Sequence, residues 1–434
     1  MTDNKPVVQE NKTETAPHIG KSSSNTIGLA TLFTLAILSA VAPFSIDLYL
    51  PAFPAMTEDL HTTVTGVQLS LTAFLIGAGV GQVVFGPLSD RIGRLIPLYI
   101  GLVLFLVASI VTVFASNVEI LVAARLAQGL GGASGMVIGR AMVLDKEKGA
   151  AAAKALSIMM VIGGIAPVVA PLAGSLLADL IGWRGLLAIV AGIGVVGIAS
   201  TVFFIRETLP KSQRSHSAQA STSKPIKALA FRGYIGNVVA FAFAMAILMS
   251  YISASPFVYQ NMIGLDAVGY GFAFAVNAIG ITVLTGISAR LTGRVTTFAL
   301  TLIGLSTSFI AIVVISILTF SSAPASWLMV PLFCAIAPLG LVLGNATALA
   351  LSAVPQTATG TGSAILGLIQ FLLAGIVAGL VGIAGEDTTV PLALTMVAAV
   401  LIALSGLALG RTEKHATVVE STEPVGETSK ATAK

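Results

Sequence analysis

Twelve stretches of about 20 mostly apolar residues, separated by short polar loops, follow one another along a chain of 434 residues. Numbered here as spans 1 to 12, they fall near 27–50, 66–87, 95–115, 118–142, 153–180, 185–205, 231–255, 268–289, 296–319, 326–352, 361–384 and 388–410. Each is long enough to cross the hydrocarbon layer of a bilayer as a helix. In lipid such a segment must satisfy its backbone hydrogen bonds internally, so the fold class expected is an all-α membrane protein with twelve transmembrane helices. Charge content agrees: 10% of residues are charged, against about 25% in a soluble domain.

The loops sort by charge. All but Arg125 and Arg184 of the 23 lysines and arginines fall in the tails or in alternate loops on one side. The intervening loops carry mainly acids, among them Glu58, Asp59, Glu119, Asp266, Glu386 and Asp387. Short basic loops stay on the cytoplasmic side, which predicts both termini in the cytoplasm of a multi-pass protein of the cell inner membrane. The same rule accounts for the basic isoelectric point near 9.2, and no nucleic-acid partner is expected. One cysteine, Cys334, leaves no intramolecular disulfide and no metal cluster; it reads as a small packing residue. The polar start lacks a cleavage site after a short apolar run and reads as a tail.

Residues 206–230, rich in Ser, Gln, Lys and Arg, read as a cytoplasmic linker. The chain then divides into a tail (1–26), a six-helix lobe (27–205), the linker, a second six-helix lobe (231–410) and a second tail (411–434). Two lobes with a site at their interface are expected of transporters built from repeated halves. Weak internal symmetry agrees: Ser288-Ala289-Arg290-Leu291-Thr292-Gly293-Arg294 after span 8 is a worn copy of Asp90-Arg91-Ile92-Gly93-Arg94 after span 2, without the aspartate.

Three segments carry chemistry. The first is Gly81-Gln82-Val83-Val84-Phe85-Gly86-Pro87-Leu88-Ser89-Asp90-Arg91-Ile92-Gly93-Arg94. Gly77, Gly81 and Gly86 lie on or near one face of span 2 and would let a neighbouring helix approach closely, and Gly93 permits a tight turn. The second is Asp47, which interrupts an apolar helix in Ser45-Ile46-Asp47-Leu48-Tyr49-Leu50-Pro51-Ala52-Phe53-Pro54. A carboxylate in a membrane helix costs at least about 2.5 kcal/mol and marks an ion or proton path. Asp47 lies toward the outer end of span 1, where an interfacial acid reached by water is the alternative. The third is Arg125, inside span 4 in Arg125-Leu126-Ala127-Gln128-Gly129-Leu130-Gly131-Gly132-Ala133. It cannot lose its proton, so it can tune a nearby acid without titrating; Asp47 and Gln128 are candidate partners, and an arginine that binds backbone carbonyls is the alternative.

The glycine-spaced loop resembles the span 2–3 loop of the major facilitator superfamily, and S-I-D-L-Y-L-P-A-F-P resembles the span 1 signature of its Bcr/CflA-type drug exporters, the group that includes bicyclomycin and chloramphenicol efflux proteins. The Arg125 segment is similar to that superfamily's span 4 motif. Gly163-Gly164-Ile165-Ala166-Pro167-Val168-Val169-Ala170-Pro171-Leu172-Ala173-Gly174-Ser175 looks like its span 5 antiporter motif, with Ala170 and Ser175 in place of two glycines. The resemblance implies a proton-coupled antiporter that exports small amphiphilic antibiotics by alternating access. Asp47 and Arg125 would couple protons. Gly81, Gly86, Asp90, Arg91, Gly93, Arg94, Gly129, Pro167, Pro171 and Gly174 would serve gating and helix bending. Asp90 would hold the cytoplasmic side shut against the start of span 11, Thr359-Gly360-Thr361-Gly362-Ser363, through that helix's dipole.

For substrate contact, aromatic and amide residues in the spans supply a pool: Tyr49, Gln128, Tyr251, Phe257, Tyr259, Asn277, Asn345 and Gln370. Each also reads as ordinary helix packing. The partners expected are a small-molecule drug, protons and the lipid bilayer, with no cofactor, in a monomer. Three alternatives stand beside this reading: a proton-linked exporter of an endogenous metabolite, a membrane-embedded enzyme and a sensor without transport. An enzyme would need a nucleophile, metal cluster or paired carboxylates, and no such constellation is found; all four histidines lie in tails or loops.

Overall fold

Local signals start the helices. Thr63, Asn117, Asp266 and Thr296 each turn a side-chain oxygen back onto an amide three residues on, satisfying a donor that the first helical turn leaves free. The computed structural model describes residues 27–211, 214, 229, 231–321, 323–355, 359–383 and 388–411. Both tails and most of the linker lie outside the described residues, as do Glu386 and Asp387.

Span 1 is built from α1 (Leu29–Asp47), a 3-10 turn (Leu50–Ala52) and α2 (Phe53–Asp59). Spans 2 to 4 are α3 (Val64–Ile92), α4 (Leu95–Val113) and α5 (Val118–Lys146). A single helix, α6 (Gly149–Phe204), contains spans 5 and 6. In the second half come α7 (Arg232–Phe257) with a π-helical turn (Val258–Met262), α8 (Ala267–Leu291) and α9 (Thr297–Phe320). Span 10 is a 3-10 turn (Ala325–Leu328), α10 (Met329–Ile336) and α11 (Leu339–Ser352); spans 11 and 12 are α12 (Thr359–Val381) and α13 (Val390–Leu409).

Eleven helices among the described residues are long and apolar enough to cross a membrane, where the sequence predicts twelve crossings. The difference lies in α6, whose apolar stretch of 51 residues would be about 75 Å long as one helix, far beyond a bilayer. Gly182, at φ 64°, breaks it. The two arms run in opposite directions along span 1. In the first, Met159 lies near Leu35 and Gly174 against Leu48; in the second, Phe204 accepts a hydrogen bond from Thr31 and Gly197 lies near Leu38. Glycine permits the positive φ that the reversal requires.

Six spans pack on each side of two helix pairs that join the halves. Span 2 lies along span 11, and span 5 along span 8. Advancing by six spans turns each pair into the other, as a two-fold repeat demands. The lobes are tied toward the acidic-loop end: Thr65 Oγ1 donates to the Gly382 carbonyl at 2.5 Å, Gln68 Nε2 to Ser253 O at 2.8 Å and Gln260 Nε2 to Pro51 O at 3.0 Å.

At the opposite, basic-loop end the linker does not start free. Glu207 accepts from the amides of Arg94 and Leu95, the first turn of α4, at 2.9 and 3.3 Å. Burial by itself would raise this carboxyl, but the Arg94, Leu209 and Leu95 amides, with the Arg214 charge, hold it below the ordinary carboxylate value. Thr208 Oγ1 donates to Asp145. The linker's first residues therefore belong to the first lobe's packing.

Candidate functional site

Span 1 does not end where its hydropathy suggests. Pro51 and Pro54 remove amide donors and turn the chain without terminating the span, which continues to Asp59. Asp47 is the last residue of α1 and stands twelve residues before that end. It is 3% exposed. Its Oδ1 is buried with no hydrogen-bond partner among the described residues.

Helical periodicity separates Asp47 from Arg125. Ser45 and Tyr49, four residues apart, share one face of span 1, while Asp47 is turned roughly 200° from Ser45. That shared face holds the arginine: Arg125 donates through Nη2 to the Ser45 carbonyl at 2.9 Å and to the Tyr49 hydroxyl at 3.1 Å. Nη1 donates to Gln128 Oε1 at 2.6 Å, and Gln128 Nε2 to Ser109 Oγ at 2.7 Å. The guanidinium also lies over the rings of Tyr49 and Phe74, 4.5 and 4.4 Å from their centroids, an arrangement that stabilises a desolvated cation. Of the two expected partners Arg125 bonds Gln128; Asp47 is not among its ion pairs. The arginine is a fixed charge held by neutral groups inside the first lobe.

Asp47 has no such partner and lies within electrostatic reach of Tyr270 on span 8. There an aromatic cluster closes the seam. Tyr251 stacks on Phe274 at 5.5 Å between centroids, Tyr259 lies 6.2 Å from Tyr270, and Tyr270 5.9 Å from Phe274. Phe257 meets Phe53 of the first lobe at 6.1 Å. Asn277 Nδ2 donates to Tyr259 at 3.4 Å, leaving its Oδ1 buried and unpartnered. Tyr270 and Phe274 are absent from the sequence pool. Their spacing with Asn277, at positions i, i+4 and i+7, places all three on one face of span 8, a signal that could have found them.

The pool does not converge as a whole. Asn345 bonds Ser288 Oγ at 2.7 Å and the Leu341 carbonyl at 2.8 Å, joining spans 10 and 8 away from Asp47. Gln370 is half-buried on span 11, the helix that packs along span 2.

The glycines divide similarly. A Cβ on Gly81 would lie 2.5 Å from the Leu130 carbonyl oxygen, and one on Gly129 would strike the Phe74 backbone, so spans 2 and 4 touch backbone to backbone. Gly86 differs: its Cβ would meet only a Val137 methyl at 3.5 Å. On span 5 a Cβ at Gly174 would strike the Leu48 carbonyl, just beyond Asp47. Ser175, standing where the motif has glycine, returns its hydroxyl to Pro171 O at 2.7 Å; Pro167 is half-buried and Pro171 buried.

In the loop after span 2, Gly93 has φ 103°. Arg94 is buried and donates to Asp90 at 2.5 Å, to Ser89 at 2.8 Å and to Asp145 at 2.9 and 3.1 Å. Arg91 is exposed. The Asp90 carboxylate, 44% exposed, is engaged by Arg94 within its own loop, and a contact with the start of span 11 is not among the bonds of the described residues. The side chain of Thr359 lies outside those residues.

Residues 35–379 match the family model described as Major Facilitator Superfamily. A Bacillus subtilis protein named as an uncharacterized MFS-type transporter, YdgK, is 35% identical over 87% of this chain and 94% of its own length. The bicyclomycin resistance protein homolog of Haemophilus influenzae is 27% identical over 86% and 94%. A chloramphenicol resistance protein of Pseudomonas aeruginosa is 32% identical over 61% and 62%. Among solved structures, an inward-facing bacterial homolog of the lysosomal transporter Spinster superposes with a TM-score of 0.67 at 17% identity over 90% of this chain and 96% of that one. A D-xylose-proton symporter does so with a TM-score of 0.69 at 14% identity over 88% and 96%. These two share the fold. With twelve crossings in two lobes and the motifs placed as described, the chain belongs to the major facilitator superfamily, in its Bcr/CflA-type branch: a multi-pass membrane transporter and not an enzyme.

Proposed function

We propose that the protein is a proton-coupled antiporter that exports small amphiphilic antibiotics, chloramphenicol-like or bicyclomycin-like, from the cytoplasm across the inner membrane. The basic loops and both tails would face the cytoplasm. The observation that carries this reading is Asp47: a carboxyl 3% exposed, with one oxygen unpartnered among the described residues, inside an otherwise apolar span. The names of the H. influenzae and P. aeruginosa relatives support the substrate class.

In this scheme the seam opens alternately to either side. Asp47 takes a proton from outside, carries it across the rearrangement and gives it up as drug binds from the cytoplasm. Arg125 contributes a permanent positive charge that biases this exchange without titrating. Closing the cytoplasmic side would bring Asp90 to the start of span 11, where the helix dipole favours a negative charge. The aromatic faces of Tyr251, Tyr259, Tyr270 and Phe274 would receive the apolar part of the drug.

The test is accumulation of radiolabelled chloramphenicol in energised cells that express the wild type or Asp47→Asn, with and without a protonophore. Lower accumulation with wild type alone, abolished by the protonophore, is the expected result. Equal accumulation in every case would remove this drug as a substrate.

A further inference from the structure

The loop after span 8 copies the loop after span 2 in backbone but not in charge. Gly93 and Gly293 both take a left-handed conformation, at φ 103° and 92°. With these glycines matched, Arg294 stands where the first lobe has Arg94, Ala289 where it has Ser89, and Arg290 where it has Asp90. In the first lobe three carboxylates surround the loop: Asp90 and Asp145 hold Arg94, and Glu207 caps the helix that follows. A Cβ on Gly93 would lie 2.6 Å from Glu207 Oε2 and from Arg214 Nη2. In the second lobe a Cβ on Gly293 would meet nothing within 4 Å. Arg290 and Arg294 are both exposed, and neither forms an ion pair among the described residues.

The second lobe has no acid at that end to supply the missing charge. Between residues 231 and 411 the acids are Asp266, Glu386 and Asp387, all in loops at the opposite end. Beyond Glu207 the linker has none. The tails come close to cancelling themselves, with three acids and three lysines in residues 1–26 and four acids and three lysines in residues 412–434.

The arginine pair sits where the apolar surface of its span ends. Ile287, about one helical turn before Arg290, is 40% exposed, and Ile303 on span 9 is 52% exposed, so both face acyl chains. Uncompensated cations at this boundary attract anionic lipid. Guanidinium groups also match the oxygens of a phosphate with paired donors.

We propose that Arg290 and Arg294 bind the phosphate of an anionic phospholipid, which takes the place that Asp90, Asp145 and Glu207 fill in the first lobe. The first lobe neutralises its loop with its own side chains; the second draws the charge from the membrane. This site stands whatever the protein exports.

The full chain in detergent is titrated with phosphatidylglycerol, and bound lipid is counted by native mass spectrometry. Wild type should hold one lipid that phosphatidylcholine and inorganic phosphate do not displace. Arg290→Gln and Arg294→Gln should each weaken its affinity about fivefold, and the pair about 25-fold. The single variants keep the test valid if the pair folds poorly. Arg206→Gln with Lys211→Gln, which removes two exposed charges from the start of the linker, should bind as wild type.

Equal affinity in wild type and the Arg290 and Arg294 variants would overturn the proposal. So would an equal loss in the Arg206 and Lys211 pair, which reduces the effect to net charge. Displacement by inorganic phosphate would assign the arginines to a free anion, and lipid binding that appears only when residues 412–434 are deleted would assign them to the tail; either result refutes the lipid site.

Discussion

Gly129→Ala is expected to destabilise the protein by forcing spans 2 and 4 apart. The added Cβ would lie 2.8 Å from the Phe74 carbonyl carbon and closer still to its oxygen, whereas real Cβ atoms essentially never come within 3.0 Å of such a neighbour. The obstacle is backbone, so no rotamer change relieves it, and the helices must separate by about 1 Å. A gap of that size forfeits about a quarter to a half of each dispersion contact along the seam, and overpacking of this kind costs about 1 to 3 kcal/mol. Against this, alanine gains about 1 kcal/mol over glycine in helix propensity. The net loss should be up to about 2 kcal/mol. Transport should fall further than stability, because Phe74 is also one of the two rings over Arg125. Gly86→Ala is the control: its methyl meets one Val137 methyl at 3.5 Å, an ordinary contact, so it should be neutral or slightly stabilising. Thermal melts of the purified variants beside drug accumulation in cells read both effects. If Gly129→Ala melts with wild type while Gly86→Ala does not, close backbone contact is not what orders these helices.

Asp47→Asn should abolish gradient-driven export while leaving the melting temperature unchanged or slightly raised, since the carboxyl has an unpartnered oxygen and no ion pair to lose; export that still collapses with a protonophore would remove Asp47 from coupling. Glu207, held below the ordinary carboxylate value, contributes stability that is complete above about pH 4.5 and is lost as pH falls through its lower folded value. Melts of wild type and Glu207→Gln from pH 6 downward should therefore converge below about pH 4.5, and a constant separation would contradict this. In a Cys334→Ser background, Thr72→Cys with Gly379→Cys should form a disulfide on oxidation, because a Cβ at Gly379 would sit 3.2 Å from Thr72 Oγ1 across the lobes. Transport should then stop and return on reduction; full transport by the oxidised form would mean that spans 2 and 11 need not part.

Hydropathy made the membrane class, the number of crossings and the sorting of loops legible in the sequence, because each depends on the local balance of apolar and charged residues. The motifs likewise pointed to Asp47, Arg125 and the loop that ends at Arg94. What the sequence could not show was which faces of these helices meet. Arg125 sits 76 residues from Tyr49, and only their packed register shows that Ser45 and Tyr49 take the guanidinium while Asp47 does not. Beyond Asp47 the chain continues through a 3-10 turn into α2, which reaches Asp59. Glu207 reads as part of a polar linker, yet it caps a helix more than 100 residues earlier in the chain. Of the glycines on span 2, tertiary packing alone decided that Gly81 touches backbone and Gly86 does not. Spanning a bilayer is a property of single segments, whereas a proton site arises only where several segments bring a charge, its neutral partners and a dry seam together.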